Sequence, residues 1–176
     1  MRIAIVNDMP LAIEAMRRVI QSSDTHSIAW IARDGAQALE HCARDVPDLI
    51  LMDLIMPVMD GVEATRQIMA TFPCAILIVT ASVMGNSAKL FEAMGVGALD
   101  AVRTPVLGAK NADGAAALLY KIDSIGWLIG HRAEKKPERP QTNSAPDGLS
   151  PKLVLIGASA GGPGAVAEIL SALPKE

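Results

Sequence analysis

Short runs of consecutive apolar residues, separated by amphipathic stretches, leave this chain few folds to choose from. A run that does not alternate with polar residues suits a strand buried on both faces, and such strands occur in parallel sheets covered by helices on each side. The runs are Ile3 to Val6, Ile28 to Ala32, Leu49 to Met52, Ala75 to Val79 and a weaker Ala98 to Val102. Between the first two, Leu11, Ala15, Met16, Val19 and Ile20 fall at helical spacing. Pro10 stands where a first helical turn tolerates a missing N–H. Further helices are expected at Ala36 to Ala43, Val62 to Phe72, Ser87 to Met94 and Ala112 to Trp127. The pattern predicts an α/β domain with five strands and five helices over residues 1–125.

The pattern then stops. From Arg132 to Pro151 the chain carries Pro137, Pro140, Pro146 and Pro151 among polar residues, a composition that cannot bury enough surface to offset the entropy of ordering it. Residues 126–151 are therefore expected to be a linker. Lys152 to Gly157 returns to strand character and Pro163 to Leu173 reads as a helix, so residues 152–176 look like the first strand, turn and helix of a truncated second domain.

Charge and cysteine usage narrow the function. Among 176 residues, 16 Lys and Arg face 19 Asp and Glu for a net charge of −3, with no basic block. A nucleic-acid partner, which needs a basic face, is not expected. Cys42 and Cys74 match no metal-ligand spacing and are expected to be reduced structural thiols. No apolar run approaches a signal-peptide core or a membrane span, so neither membrane insertion nor export is expected, and the chain is expected to be cytoplasmic. His26, His41 and His131 share no ligand spacing and read as surface or packing residues, and Met52, Met56, Met59, Met69, Met84 and Met94 as core fillers.

If the strands are parallel, their carboxyl ends bring chemically marked residues to one rim: Asn7 and Asp8, then Asp53, then Thr80 and Ala81, then Arg103, Thr104 and Pro105. Two carboxylates there suit Mg²⁺, which binds through one or two carboxylates, waters and phosphate oxygens. A carboxylate can also attack a phosphoryl group when a cation neutralises the transition state. Asp53 is placed for that attack, Asp8 for the metal and Thr80 for a hydroxyl to the transferred group. Pro57 stiffens the intervening loop, and Asp60 reads as the cap of the next helix.

The run Leu49-Ile50-Leu51-Met52-Asp53-Leu54-Ile55-Met56-Pro57-Val58-Met59-Asp60-Gly61 resembles the phosphoacceptor loop of two-component response-regulator receiver domains. With Asp8 and Thr80, the resemblance spans about residues 1–125. It implies a flavodoxin-like, doubly wound five-stranded fold, phosphorylation of Asp53 by a histidine kinase, Mg²⁺ held by Asp8, Asp53 and the carbonyl of Ile55, and phosphoryl binding by Thr80 and Ala81. Three positions depart from the family pattern: Asn7 replaces an acid and removes a charge from the metal site, Thr104 replaces the lysine before Pro105, and Ala101 replaces a switch aromatic. Arg103 substitutes for that lysine only by turning inward.

The turn Gly157-Ala158-Ser159-Ala160-Gly161-Gly162 lies between a strand and a helix. Small residues beside Ser159 allow a sharp turn that exposes its hydroxyl, with the Ala160 amide as an oxyanion candidate; a phosphate or dinucleotide cradle fits the same pattern. A receiver, a linker and this turn together resemble CheB-type chemotaxis methylesterases, which demethylate chemoreceptor glutamates and can deamidate glutamines. Met1 to Gly61 is similar to regulators of the Wsp surface-sensing type. The resemblance implies Ser159 as esterase nucleophile, with a CheA-type histidine kinase and a methyl-accepting chemoreceptor as partners. The residues after Pro151 include no histidine to serve as base, so this chain is expected to lack esterase turnover. The alternative is a stand-alone receiver that accepts phosphoryl groups and docks a kinase.

Overall fold

The computed structural model describes residues 1–81, 85–106 and 112–130. All of them lie in the first of two units into which the chain divides, Met1–Gln141. Five strands, β1 (Arg2–Val6), β2 (Ser27–Ala32), β3 (Leu49–Met52), β4 (Ala75–Thr80) and β5 (Asp100–Arg103), form one sheet in the order β2-β1-β3-β4-β5. Every neighbouring pair is parallel. The strands alternate with α1 (Pro10–Gln21), α2 (Gly35–Cys42), α3 (Gly61–Thr71), α4 (Ser87–Gly95) and α5 (Ala112–Leu128). This is the doubly wound, flavodoxin-like arrangement expected from the sequence.

The unbroken apolar runs follow from two cores. Ile3 and Ile5 of β1 pack with Leu49, Leu51, Leu77 and Val79 under Met16 and Ile20 of α1 and Leu118 and Ile122 of α5. Their neighbours Ala4 and Val6 face the opposite way, joining Ile50, Met52, Ile76 and Ile78 under Ala38 of α2, Ile68 of α3 and Ala93 of α4. Side chains alternate in direction along a strand, and both directions lead into helices, so neither face can be polar. Each fully buried Ile or Leu contributes about 1.5–3 kcal/mol.

Local chemistry sets the helix starts. Pro10 occupies the first turn of α1. Asp34 and Asp60 cap α2 and α3, accepting from the backbone N–H of Gln37 at 2.9 Å and of Glu63 at 3.0 Å. His41 stacks on Trp30, and His26 bonds Asp123 of α5 at 2.8 Å. Burial pushes the Cys42 thiol up to about 11 and Cys74 to about 12, as suits unreactive packing groups.

Three expectations need correction. The segment expected as linker from residue 126 is still helix up to Leu128, because α5 continues past Ile125, which is packed in the core. The fifth strand begins at Asp100 rather than Ala98, because the Ala98 N–H still closes α4 on the Ala93 carbonyl at 3.0 Å, after Gly97 turns the chain at φ 122°. Met94 is no core filler: it is 41% exposed, whereas Met52 and Met56 are buried. Met84 and His131 lie outside the described residues.

Candidate functional site

The strand order reverses between β1 and β3, so the carboxyl ends of these strands flank the crevice where open α/β sheets hold ligands. A cleft of about 610 Å³ opens there. Asp8, Asp53, Ile55, Thr80 and Ala81 all line it, as do Arg103, Thr104 and Pro105. The sheet has thus gathered the marked residues of four separate strand ends.

Asp53 is fixed from both sides. Its N–H donates to the Val6 carbonyl at 2.9 Å, which ties the end of β3 to β1. Its Oδ1 accepts from the Leu54 N–H at 2.7 Å, and its Oδ2 accepts from Asn7 Nδ2 at 3.0 Å. The Asn7 carbonyl oxygen in turn accepts from the Met9 N–H at 2.8 Å, which leaves the amide nitrogen facing Asp53. Burial raises the Asp53 carboxyl above the ordinary carboxylate range and the Asp8 charge adds to this, while the N–H groups of Leu54, Ile55 and Asn7 pull it back.

The loop after Asp53 is held tightly. The Met59 N–H reaches back to the Pro57 carbonyl at 2.7 Å around Val58, whose φ of 65° makes a γ-turn of the strained hand. Gly61 donates to the Leu54 carbonyl at 3.1 Å, and a Cβ at Gly61 would lie 1.9 Å from the Asp53 carbonyl oxygen. Asp60, besides capping α3, bonds Lys89 of α4 at 2.8 Å, and its carboxyl is held below the usual range chiefly by that ammonium.

Thr80 ends β4 almost fully buried, and its hydroxyl accepts from Asn86 Nδ2 at 3.1 Å. Its carbonyl accepts from the Thr104 N–H at 3.0 Å, joining β4 to the segment after β5. Arg103 is exposed at the cleft wall. Asn86 and Gly61 were not singled out by sequence reasoning. Asn86 precedes Ser87 as a cap would, and the neighbouring carboxylate motif ends in Gly61, but their partners depend on the assembled sheet.

Among the described residues no group of three or more His, Cys, Asp or Glu is placed to hold a metal. The acidic set at the cleft is Asp8 and Asp53. Also among the described residues, no helix is long and apolar enough to cross a membrane.

Comparison with known families matches residues 3–110 to the response regulator receiver domain. The chain belongs to that family. A protein-glutamate methylesterase/protein-glutamine glutaminase of Pseudomonas fluorescens is 57% identical over 179 positions, covering 100% of this chain and 52% of that protein. Another so named, of Pseudomonas aeruginosa, is 56% identical over 175 positions, covering 99% and 52%. The crystal structure of the response regulator domain of Thermotoga maritima CheB superposes on this receiver domain with a TM-score of 0.65 at 27% identity, covering 73% of this chain and 96% of that one. The chain spans about half the length of these methylesterase relatives. Ser159 and Ala160 lie outside the described residues.

Proposed function

We propose that this receiver domain accepts a phosphoryl group on Asp53 and is the regulatory part of a protein-glutamate methylesterase acting in chemotaxis-like signalling. The observation that carries the phosphoacceptor reading is a half-buried Asp53 carboxylate whose two oxygens are separately hydrogen-bonded and which shares one cleft with Asp8 and Thr80. Attack by an Asp53 oxygen forms a bond to phosphorus while the bond to the donor's leaving group breaks, and the leaving group departs with the electron pair. Asn7 and the Leu54 N–H orient the carboxylate, and the Thr80 hydroxyl and Ala81 N–H receive the phosphoryl oxygens.

The donor set fits Mg²⁺. Two carboxylates, Asp8 and Asp53, are close enough for the charge on one to raise the pKa of the other, and the Ile55 carbonyl supplies a third oxygen. When bound, the ion neutralises negative charge on the incoming phosphoryl group. A neutral Asn7 beside this pair keeps the site at two negative charges, so weaker Mg²⁺ binding follows than at a site with three.

The same reading extends to the rest of the chain. The receiver runs to the end of α5 at Leu128, a linker follows up to residue 151, and residues 152–176 are the start of an esterase domain with Ser159 as nucleophile and the Ala160 N–H toward the oxyanion. The match to both methylesterase relatives runs over 99–100% of this chain, past the receiver, which favours this over a stand-alone receiver. A CheA-type histidine kinase would supply the phosphoryl group in the cytoplasm, and a methyl-accepting chemoreceptor of a Wsp-like system would be the substrate of the complete protein. In the complete protein, phosphorylation of Asp53 would control the esterase activity. The test uses intact-mass measurement after incubation with Mg²⁺ and acetyl phosphate. The chain gains one base-labile phosphoryl group, lost on Asp53→Asn; equal uptake by Asp53→Asn refutes the assignment.

A further inference from the structure

Asn86 is the residue before α4, where an asparagine ordinarily turns its side chain onto the helix's first free N–H groups. Here it makes no such bond. Its amide nitrogen instead donates to the buried hydroxyl of Thr80 at 3.1 Å, and both residues line the cleft beside Asp53. A hydroxyl has one hydrogen to give and can accept as well. With its oxygen occupied as acceptor from Asn86, Thr80 keeps that hydrogen to donate, and a donor that is itself receiving a hydrogen bond is polarised toward giving a stronger one. The cleft needs this, since Arg103 is the one cationic side chain among its described lining residues and Thr104 brings only a neutral hydroxyl.

We propose that Asn86 is a positioning residue for phosphoryl recognition: it holds the Thr80 hydroxyl so that its hydrogen points to the phosphoryl group on Asp53. The inference rests on the reading of Asp53 as phosphoacceptor. It also accounts for the direction of the Asn86 side chain, which is turned to Thr80 while the α4 cap is left unmade. An aspartate at position 86 would reverse the bond. Its carboxylate can only accept, so it would take the Thr80 hydrogen and add negative charge beside the phosphoryl site.

The experiment compares Asn86→Ala and Asn86→Asp in the Thr80 and Thr80→Ala backgrounds of the full chain. Phosphorylation by acetyl phosphate with Mg²⁺ is followed by intact mass, and affinity for beryllofluoride, a phosphoryl mimic, is measured by calorimetry. One neutral hydrogen bond is worth about a three- to tenfold effect. Asn86→Ala should therefore slow phosphorylation and weaken beryllofluoride binding by about that factor, with Asn86→Asp worse on both. In the Thr80→Ala background Asn86→Ala should change neither. Equal losses in the two backgrounds mark a merely structural role and overturn the proposal, as does no loss in the Thr80 background. If the unsubstituted chain takes up no phosphoryl group, the reading of Asp53 falls and this inference with it; if it is modified normally and the coupling to Thr80 is missing, this inference alone falls.

Discussion

Replacing Gly61 with alanine puts a methyl carbon 1.9 Å from the Asp53 carbonyl oxygen, 2.8 Å from the carbonyl carbon and 3.0 Å from Leu54 Cα. All three atoms are backbone, so no side chain can swing aside, and the start of α3 or the end of β3 must move by about 1 Å or more. Overpacking costs about 1–3 kcal/mol where side chains can adjust, and the rigid neighbours here put the cost at the upper end. The same movement stretches the 3.1 Å bond from the Gly61 N–H to Leu54, for about 1 kcal/mol more. We therefore expect a loss of about 3–4 kcal/mol, or about 10–15 °C in Tm for a domain of this size. Gly95, with nothing within 4 Å of its would-be Cβ, is the internal control. Gly95→Ala should instead gain about 0.4–1 kcal/mol by restricting the unfolded chain. Urea unfolding at matched m-values reads both. If Asp53 is the phosphoacceptor proposed above, phosphorylation of any folded Gly61→Ala protein should fall by a factor on the order of 10², because the peptide of Asp53 is displaced. A Gly61→Ala loss below about 1 kcal/mol with unchanged m would refute the steric reasoning.

Three further outcomes follow from the same loops. Val58 is β-branched, 87% exposed and at φ 65°, so Val58→Asn should raise stability by about 1 kcal/mol by relieving backbone strain without losing burial; an unchanged urea midpoint counts against it. Asp34→Ala removes a buried cap bonded to both the backbone and the side chain of Gln37, and should cost about 1–2 kcal/mol, with Asp34→Ser recovering part of it. For Asp53 the folded pKa is raised, so its contribution to stability is fully present below the unfolded value near about 4 and is lost as pH rises through the folded value. Asp53→Asn should therefore be the more stable protein at neutral pH, with the difference closing as the pH falls toward about 4; a difference that widens on acidification would contradict the sign.

The strands were legible wherever both faces are buried. Leu49 to Met52 reads as a strand because its four residues feed two cores, and the structure places β3 there. The start of the fifth strand was not legible, since Ala98 is apolar whether it pairs in a sheet or closes a helix, and the Gly97 turn decided for the helix. Met94 failed for a related reason: a methionine on an amphipathic helix carries no mark of which face it occupies. At the cleft, the place of Asp53 directly after β3 was readable from the apolar run before it. The direction of the Asn7 amide was not, because it is set by the Met9 N–H and by an aspartate far along the chain.

What the amino-acid order determined by itself is one-dimensional: the spacing of apolar runs, hence a parallel sheet between helices, and the placement of acids and hydroxyls immediately after those runs, hence one shared rim. Those properties are local, and steric alternation along a strand turns them into a fold with little ambiguity. The tertiary structure alone decided who bonds to whom on that rim. Asn86 donates its amide to Thr80 and leaves its own helix uncapped, and Gly61 is pressed against the Asp53 carbonyl. Hydrogen bonds and close contacts depend on distances of a few tenths of an ångström between residues brought together by packing, and no spacing in the chain encodes them.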